Sequence, residues 1–296
     1  QSNSGAITSG EQLVRAITVG VDVACHLGVA SASPLKFFRP GTCGAFGATA
    51  AVAILRGFGA EQLISAFGIA HAQLCGTMQA HTEGSPLLAM QMGFNARNAL
   101  TASDLAAQGI PGTRHSLEGP FGFFALFEGE HCLDEVLPQL GNVWRITEVA
   151  HKPFPSGRAT HGIVDACLTL RKDQSYAHGD IRSVLARVPP LTHHLVGRPV
   201  TKEMDINYAR LCARFVAARA LISGNVVSED FTAEARRDPV TLSLAERIDI
   251  ETDNNPDPNA LSPIELEVEY HNGTRKRSRI DIVYGHPAKP MSRTAW

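Results

Sequence analysis

A lysine, an arginine and a histidine crowd into the segment K-P-F-P-S-G-R-A-T-H-G-I-V-D, from Lys152 to Asp165. Pro153 and Pro155 forbid helix at its start, since each fixes its own φ and biases the preceding residue towards extended backbone. A helix can begin once they are passed. Ser156 is placed to cap it, leaving the amides of Gly157, Arg158 and Ala159 without intrahelical partners. Such an end attracts anions, and Arg158 would add a bidentate guanidinium. Arg158, His161 and Asp165 stand at i, i+3 and i+7, one face of a helix. Lys152, Arg158 and His161 thus suit a carboxylate-sized pocket with an imidazole for proton transfer. A plainer reading fits the same residues: two solvated cations at a helix entry and a half-buried structural histidine.

The wording K-P-F-P-S-G-R-A-T-H-G-x-x-D-A resembles the signature of the MmgE/PrpD family. In that family a lysine and a histidine of the signature line the active site, which implies catalytic roles for Lys152 and His161. Three more stretches match the family's helical-domain pattern in order: Gly41 to Leu55, Gly93 to Gly109, and Leu117 to Gly122. The resemblance implies a lyase or isomerase of the 2-methylcitrate dehydratase type, abstracting a proton beside a carboxylate of a small polycarboxylic acid. Dehydration, decarboxylation and epimerisation all pass through that carbanion. Nothing in the sequence calls for a cofactor or a metal. Ser156, Gly157 and Arg158 would hold a remote carboxylate of a di- or tricarboxylate substrate.

The chain also departs from the family. Many members carry a histidine where Phe38 stands and a lysine where Leu88 stands. Arg39, His81, Glu83 and Gln91 could form a substitute polar set around the same cavity, although arginine cannot act as a base. Family chains are longer at both ends, so the expectation is a fragment or a shortened member with an incomplete helical domain. Its exposed apolar faces then imply a homodimer or other oligomer. A catalytically silent binding or structural protein, or one needing a second chain to complete its site, is the alternative.

The elements that must position these residues follow from composition and periodicity. With 44% hydrophobic and 19% charged residues in 296, the chain can build a large core in two domains. A net charge of −2 offers no electrostatic case for nucleic acid or an anionic membrane. Six scattered cysteines without a C-x-x-C pair fit a cytoplasmic protein, and no leader or membrane span is read.

Ser9 and Gln12 resemble a capping box before a helix from Leu13 to Leu27. Further helices are expected over Gly41 to Leu55, Ala60 to Leu74 and Pro86 to Gln108. Leu117 to Phe127 reads as an aromatic plug between them. After His161's helix, strands are expected at Asp180 to Val188, Thr192 to Val196 and Ile248 to Thr252, with helices at Ile206 to Ser223 and Thr241 to Ile248. Ile264 to Val283 alternates around Asn272-Gly273 as a hairpin. The fold class is therefore mainly α plus α+β. An all-helical domain (1–141) precedes a smaller α+β lid with an antiparallel sheet (142–285), and 286–296 starts a return to the helices. The resemblance places the active site between the two.

Two apparent motifs fail. Gly41, Gly44 and Gly47 are spaced G-x-x-G-x-x-G behind Pro40, unlike a dinucleotide turn. His81-Thr82-Glu83 lacks the P-C-x-x-C partner of the zinc deaminases.

Overall fold

The computed structural model describes residues 8–172 and 177–295. The chain separates into two compact units, one running to Ala80 and again over Pro86–Glu148, the other comprising His81–Ser85 and Val149–Trp296.

The first unit is helical. Its helices are α1 (Gly10–Ala30), α2 (Arg39–Arg56), α3 (Ala60–His71), the first residues of α4 (Gln79–Glu83), α5 (Leu87–Ala107) and the short α6 (Leu133–Val136). Ser9 and Gln12 close the expected capping box on α1, the serine hydroxyl accepting from the Gln12 amide at 3.2 Å. The glycines of α1 and α2 meet back to back: a Cβ on Gly20 would lie 2.7 Å from the Gly47 carbonyl oxygen. Small residues allow this approach, so α2 is buried along most of its length. By length and composition α1 could cross a bilayer, although the sequence suggested no such helix. The aromatic stretch is a plug, as expected. Phe123 and Phe124 are fully buried, and Phe46 meets Phe67 and Phe123 edge-on.

The second unit is α+β. Strands β1 (Ile181–Val188), β2 (Ile248–Thr252), β3 (Ile264–Tyr270) and β4 (Arg275–Ile280) form one sheet in the order β2-β1-β3-β4. The hairpin lies where expected, with Gly273 at φ 81° in its turn. Along β3, Ile264, Leu266, Val268 and Tyr270 face the core, while Glu265, Glu267 and Glu269 pair with Arg279, Arg277 and Arg275 of β4. Helix α7 (His161–Arg171) packs on β3 and β4, and Gly162 makes that possible. A Cβ there would lie 2.5 Å from Ile264 Cγ1.

Three local expectations are corrected. The sheet is mixed, because β1 and β2 run parallel. Thr192 to Val196 is no strand but part of α8 (Pro190–Val196), which starts on a proline and buries Thr192 and Val196 four residues apart. The single helix expected over Ile206 to Ser223 is broken into α9 (Ile206–Arg210) and α10 (Ala213–Ser223). Short helices α11 (Ala233–Arg236) and α12 (Pro239–Ala245) complete the unit.

Candidate active site

Everything in the Lys152–Asp165 segment belongs to the second unit. Past the prolines the backbone bends, with the Ser156 amide donating to the Phe154 carbonyl at 2.9 Å. A 3-10 turn over Arg158–Thr160 then leads into α7. Ser156 does not cap this helix as expected. Its hydroxyl lies 2.7 Å from that of Thr160. Since Thr160 spends its one hydroxyl proton on the Gly157 carbonyl, Ser156 must be the donor of the pair. Nor is the Gly157 amide open to an anion, because it donates to the Arg210 carbonyl at 2.9 Å. This contact coincides with the break between α9 and α10. A Cβ on Gly157 would lie 2.7 Å from Leu211 Cδ2, so a larger residue would push that leucine methyl aside. Arg158 and Ala159 retain amides with no partner among the described residues.

His161 is fully buried at the start of α7, with the Phe154 ring edge-on at 5.4 Å. Burial, then the Arg158 charge, pushes its pKa down to about 3 against the weaker upward pull of the Ser156 carbonyl. The ring is therefore neutral at ordinary pH. Its Nε2 sits 3.4 Å from the Ser156 carbonyl oxygen, and only an N–H can satisfy that oxygen. The hydrogen is accordingly on Nε2. Nδ1 is left as a bare lone pair, buried and without a partner among the described residues.

Two cations flank this imidazole. Lys152 is exposed at the surface, yet partial desolvation and then the neighbouring Arg158 lower its pKa, and burial lowers that of Arg158. Neither side chain is matched by a carboxylate among the described residues. Asp165, expected on the face of Arg158 and His161, is committed elsewhere. Its Oδ2 accepts from Lys289 Nζ at 2.6 Å and from the Tyr284 amide at 3.0 Å. The segment thus gathers two cations without carboxylate partners among the described residues beside a neutral imidazole, an arrangement suited to an anion that exchanges a proton. Among the described residues no cluster of His, Cys, Asp and Glu could hold a metal ion.

Two halves of one family account for nearly all of this chain. The MmgE/PrpD N-terminal domain matches residues 2–135, and the MmgE/PrpD C-terminal domain matches residues 154–295. The chain belongs to the MmgE/PrpD family. It is similar to cis-aconitate decarboxylases of Mus musculus and Homo sapiens, each 28% identical over 96% of this chain and over 59% and 60% of their own lengths. A cis-aconitate decarboxylase of Aspergillus terreus is 30% identical over 58% of this chain and 37% of its own length. The chain spans about three fifths of the length of the two mammalian relatives.

The residues that could replace the family's missing histidine and lysine have other occupations. Arg39 lies in the helical unit and is not a spare cation there: its Nε donates to the buried Glu128 carboxylate at 2.9 Å and its Nη2 to the Ser33 carbonyl. Gln91, also in that unit, bonds both the amide and the carbonyl of Thr77 through its side chain. His81 and Glu83 lie on the part of α4 that belongs to the second unit. Glu83 is exposed there. His81 is buried, and its Nδ1 and carbonyl both accept from Arg198 Nη2, at 3.3 and 2.9 Å. Burial, then Arg198, pushes its pKa down to about 4.

Sequence reasoning missed Arg198, Arg210 and Lys289. None lies in the signature, and Arg210 contributes through a carbonyl that any residue would have. Only Gly285, just after Tyr284 and at φ 91°, leaves a mark that the sequence could have shown.

Proposed function

We propose that the protein catalyses a lyase-type reaction at a carbon beside a carboxylate of a small polycarboxylic acid, and that cis-aconitate, named in its relatives, is the first substrate to try. The observation that carries this reading is the pairing of Lys152 and Arg158, cationic and without carboxylate partners among the described residues, with the neutral imidazole of His161. Crowding like charges costs free energy that an anionic ligand offsets. The carbanion formed beside a carboxylate is enolate-like and gains most from cations already in place.

In a decarboxylation the carbon–carbon bond to the leaving carboxylate breaks, carbon dioxide departs, and the electron pair spreads onto the remaining unsaturated acid. A proton must then reach carbon. Lys152 suits this donation, because its lowered pKa makes its ammonium a readier acid. Where the reaction begins with proton removal, Nδ1 of His161 is the base. The ring is covered, so this role requires the cover to open. Arg158 holds a second carboxylate through its planar guanidinium.

A second reading, binding without turnover, is favoured by Phe38 and Leu88 in place of the family's histidine and lysine. Calorimetry with citrate as the probe tests the shared part. Bound carboxylates raise the lowered pKa of Lys152, so binding takes up protons and tightens as the pH falls from the ordinary lysine value of 10.5 downwards. Arg158→Ala is expected to cost about 2 kcal/mol or more of binding free energy, roughly thirtyfold in affinity. Equal affinity in parent and variant would show that the anion binds elsewhere.

A further inference from the structure

We propose that the Tyr284–Lys289 loop, fastened by Asp165, is a positioning element that sets where Lys152 stands relative to Arg158 and His161. This rests on the reading of those three residues as an anion site.

The loop leaves β4 and doubles back on itself. The His286 amide donates to the Val283 carbonyl, the Lys289 amide to the His286 carbonyl, and the Gly285 amide to the Lys289 carbonyl. A single carboxylate holds both of its ends: Asp165 Oδ2 accepts from the Tyr284 amide at 3.0 Å and from Lys289 Nζ at 2.6 Å. Asp165 stands one helical turn beyond His161 on α7, so the loop is anchored to the element that carries the imidazole.

Beside its anchored base the loop grips the residue before Lys152. The His151 amide donates to the Gly285 carbonyl at 2.8 Å. Gly285 has φ 91°, and a Cβ on it would lie 2.4 Å from the His151 carbonyl oxygen and 3.1 Å from Pro153 Cδ. Only glycine allows the loop to sit this close to the backbone on either side of Lys152. A chain of contacts therefore runs from α7 through Asp165 and the loop to the main chain of Lys152. The clamp thus ties the proline-rich entry back to α7. The Lys289 charge is consumed by Asp165 and adds nothing to the anion site.

Lys152's own titration reports on the clamp without needing turnover. Lys152 is labelled with acetic anhydride across a pH series and read by mass spectrometry, with the exposed Lys202 as internal reference. The variants are Lys289→Met, which removes the ion pair at a side chain 42% exposed, and Gly285→Ala, which pushes the loop from His151. Near-ultraviolet circular dichroism checks that each is folded. Lys152 is already exposed, so loosening the clamp acts by letting its ammonium move away from Arg158. Its titration midpoint then rises, and its labelling below the ordinary lysine range falls severalfold relative to Lys202. Lys289→Arg keeps the ion pair and is expected to restore the parental titration. A Lys152 titration unchanged in whichever of the two variants is folded overturns the proposal. Should the midpoint move while the parent binds no citrate, the clamp stands and the anion-site reading falls.

Discussion

His161 owes its chemistry to its surroundings. Desolvation and two neighbouring cations keep the ring neutral against the opposing pull of nearby carbonyls, and the Ser156 carbonyl at 3.4 Å assigns its hydrogen to Nε2. Its folded pKa of about 3 lies below its ordinary value of 6.5, so on acidification the unfolded chain takes up the proton first. Stability is therefore lost as the pH falls from 6.5 towards 3, and His81 adds a similar loss between 6.5 and about 4. Each histidine contributes a slope of about 1.4 kcal/mol per pH unit where only the unfolded form is protonated. His161→Gln is accordingly expected to flatten the acid limb of a urea-denaturation series below about pH 6. An unchanged limb would mean that the ring is hydrated and titrates normally. At this scale the sequence showed the residue types but not their commitments. That Ser156 would serve Thr160, and Asp165 would serve Lys289, depends on a hydroxyl four residues away and a lysine 124 residues away.

Among the elements, those with strong periodicity and local caps were legible: the capping box of α1, the small-residue helix α2 and the Asn272-Gly273 hairpin. What failed were short segments decided by distant partners. Thr192 to Val196 has strand-like β-branched content, yet Pro189 and Pro190 start a helix that buries one face. The α9–α10 break is invisible in the apolar periodicity of 206–223, and the Gly157 amide that bonds the Arg210 carbonyl at the break lies elsewhere in the chain. Close helix–sheet approach provides a test here. In Gly162→Ala the new methyl group meets the fully buried and β-branched Ile264, so the variant should lose about 1–3 kcal/mol despite alanine's better helix propensity. Chemical denaturation measures the loss. A neutral or stabilised variant would show that α7 can ride higher on the sheet.

At the scale of the whole molecule, family membership explains the order of a helical unit and an α+β unit, and this was legible from the signature. The helical unit exposes Leu13, Val14 and Ile17 on α1, and Leu87, Met90, Met92 and Leu100 on α5. We expect these faces to be covered by self-association, so light scattering at micromolar concentration should give a mass above that of one chain. A clean monomer would contradict it. The central claim is that Lys152 and His161 serve one reaction at a carbon beside a carboxylate, and isotope exchange tests it most directly. The protein is incubated in deuterated water with cis-aconitate, citrate and other di- and tricarboxylates, and deuterium incorporation and product are followed by NMR. The account predicts turnover of at least one acid, with kcat and kcat/KM falling together on the order of a hundredfold or more in Lys152→Ala and His161→Gln. Near-parental turnover in both variants would contradict it and leave the Lys152–Asp165 segment as a structural helix entry.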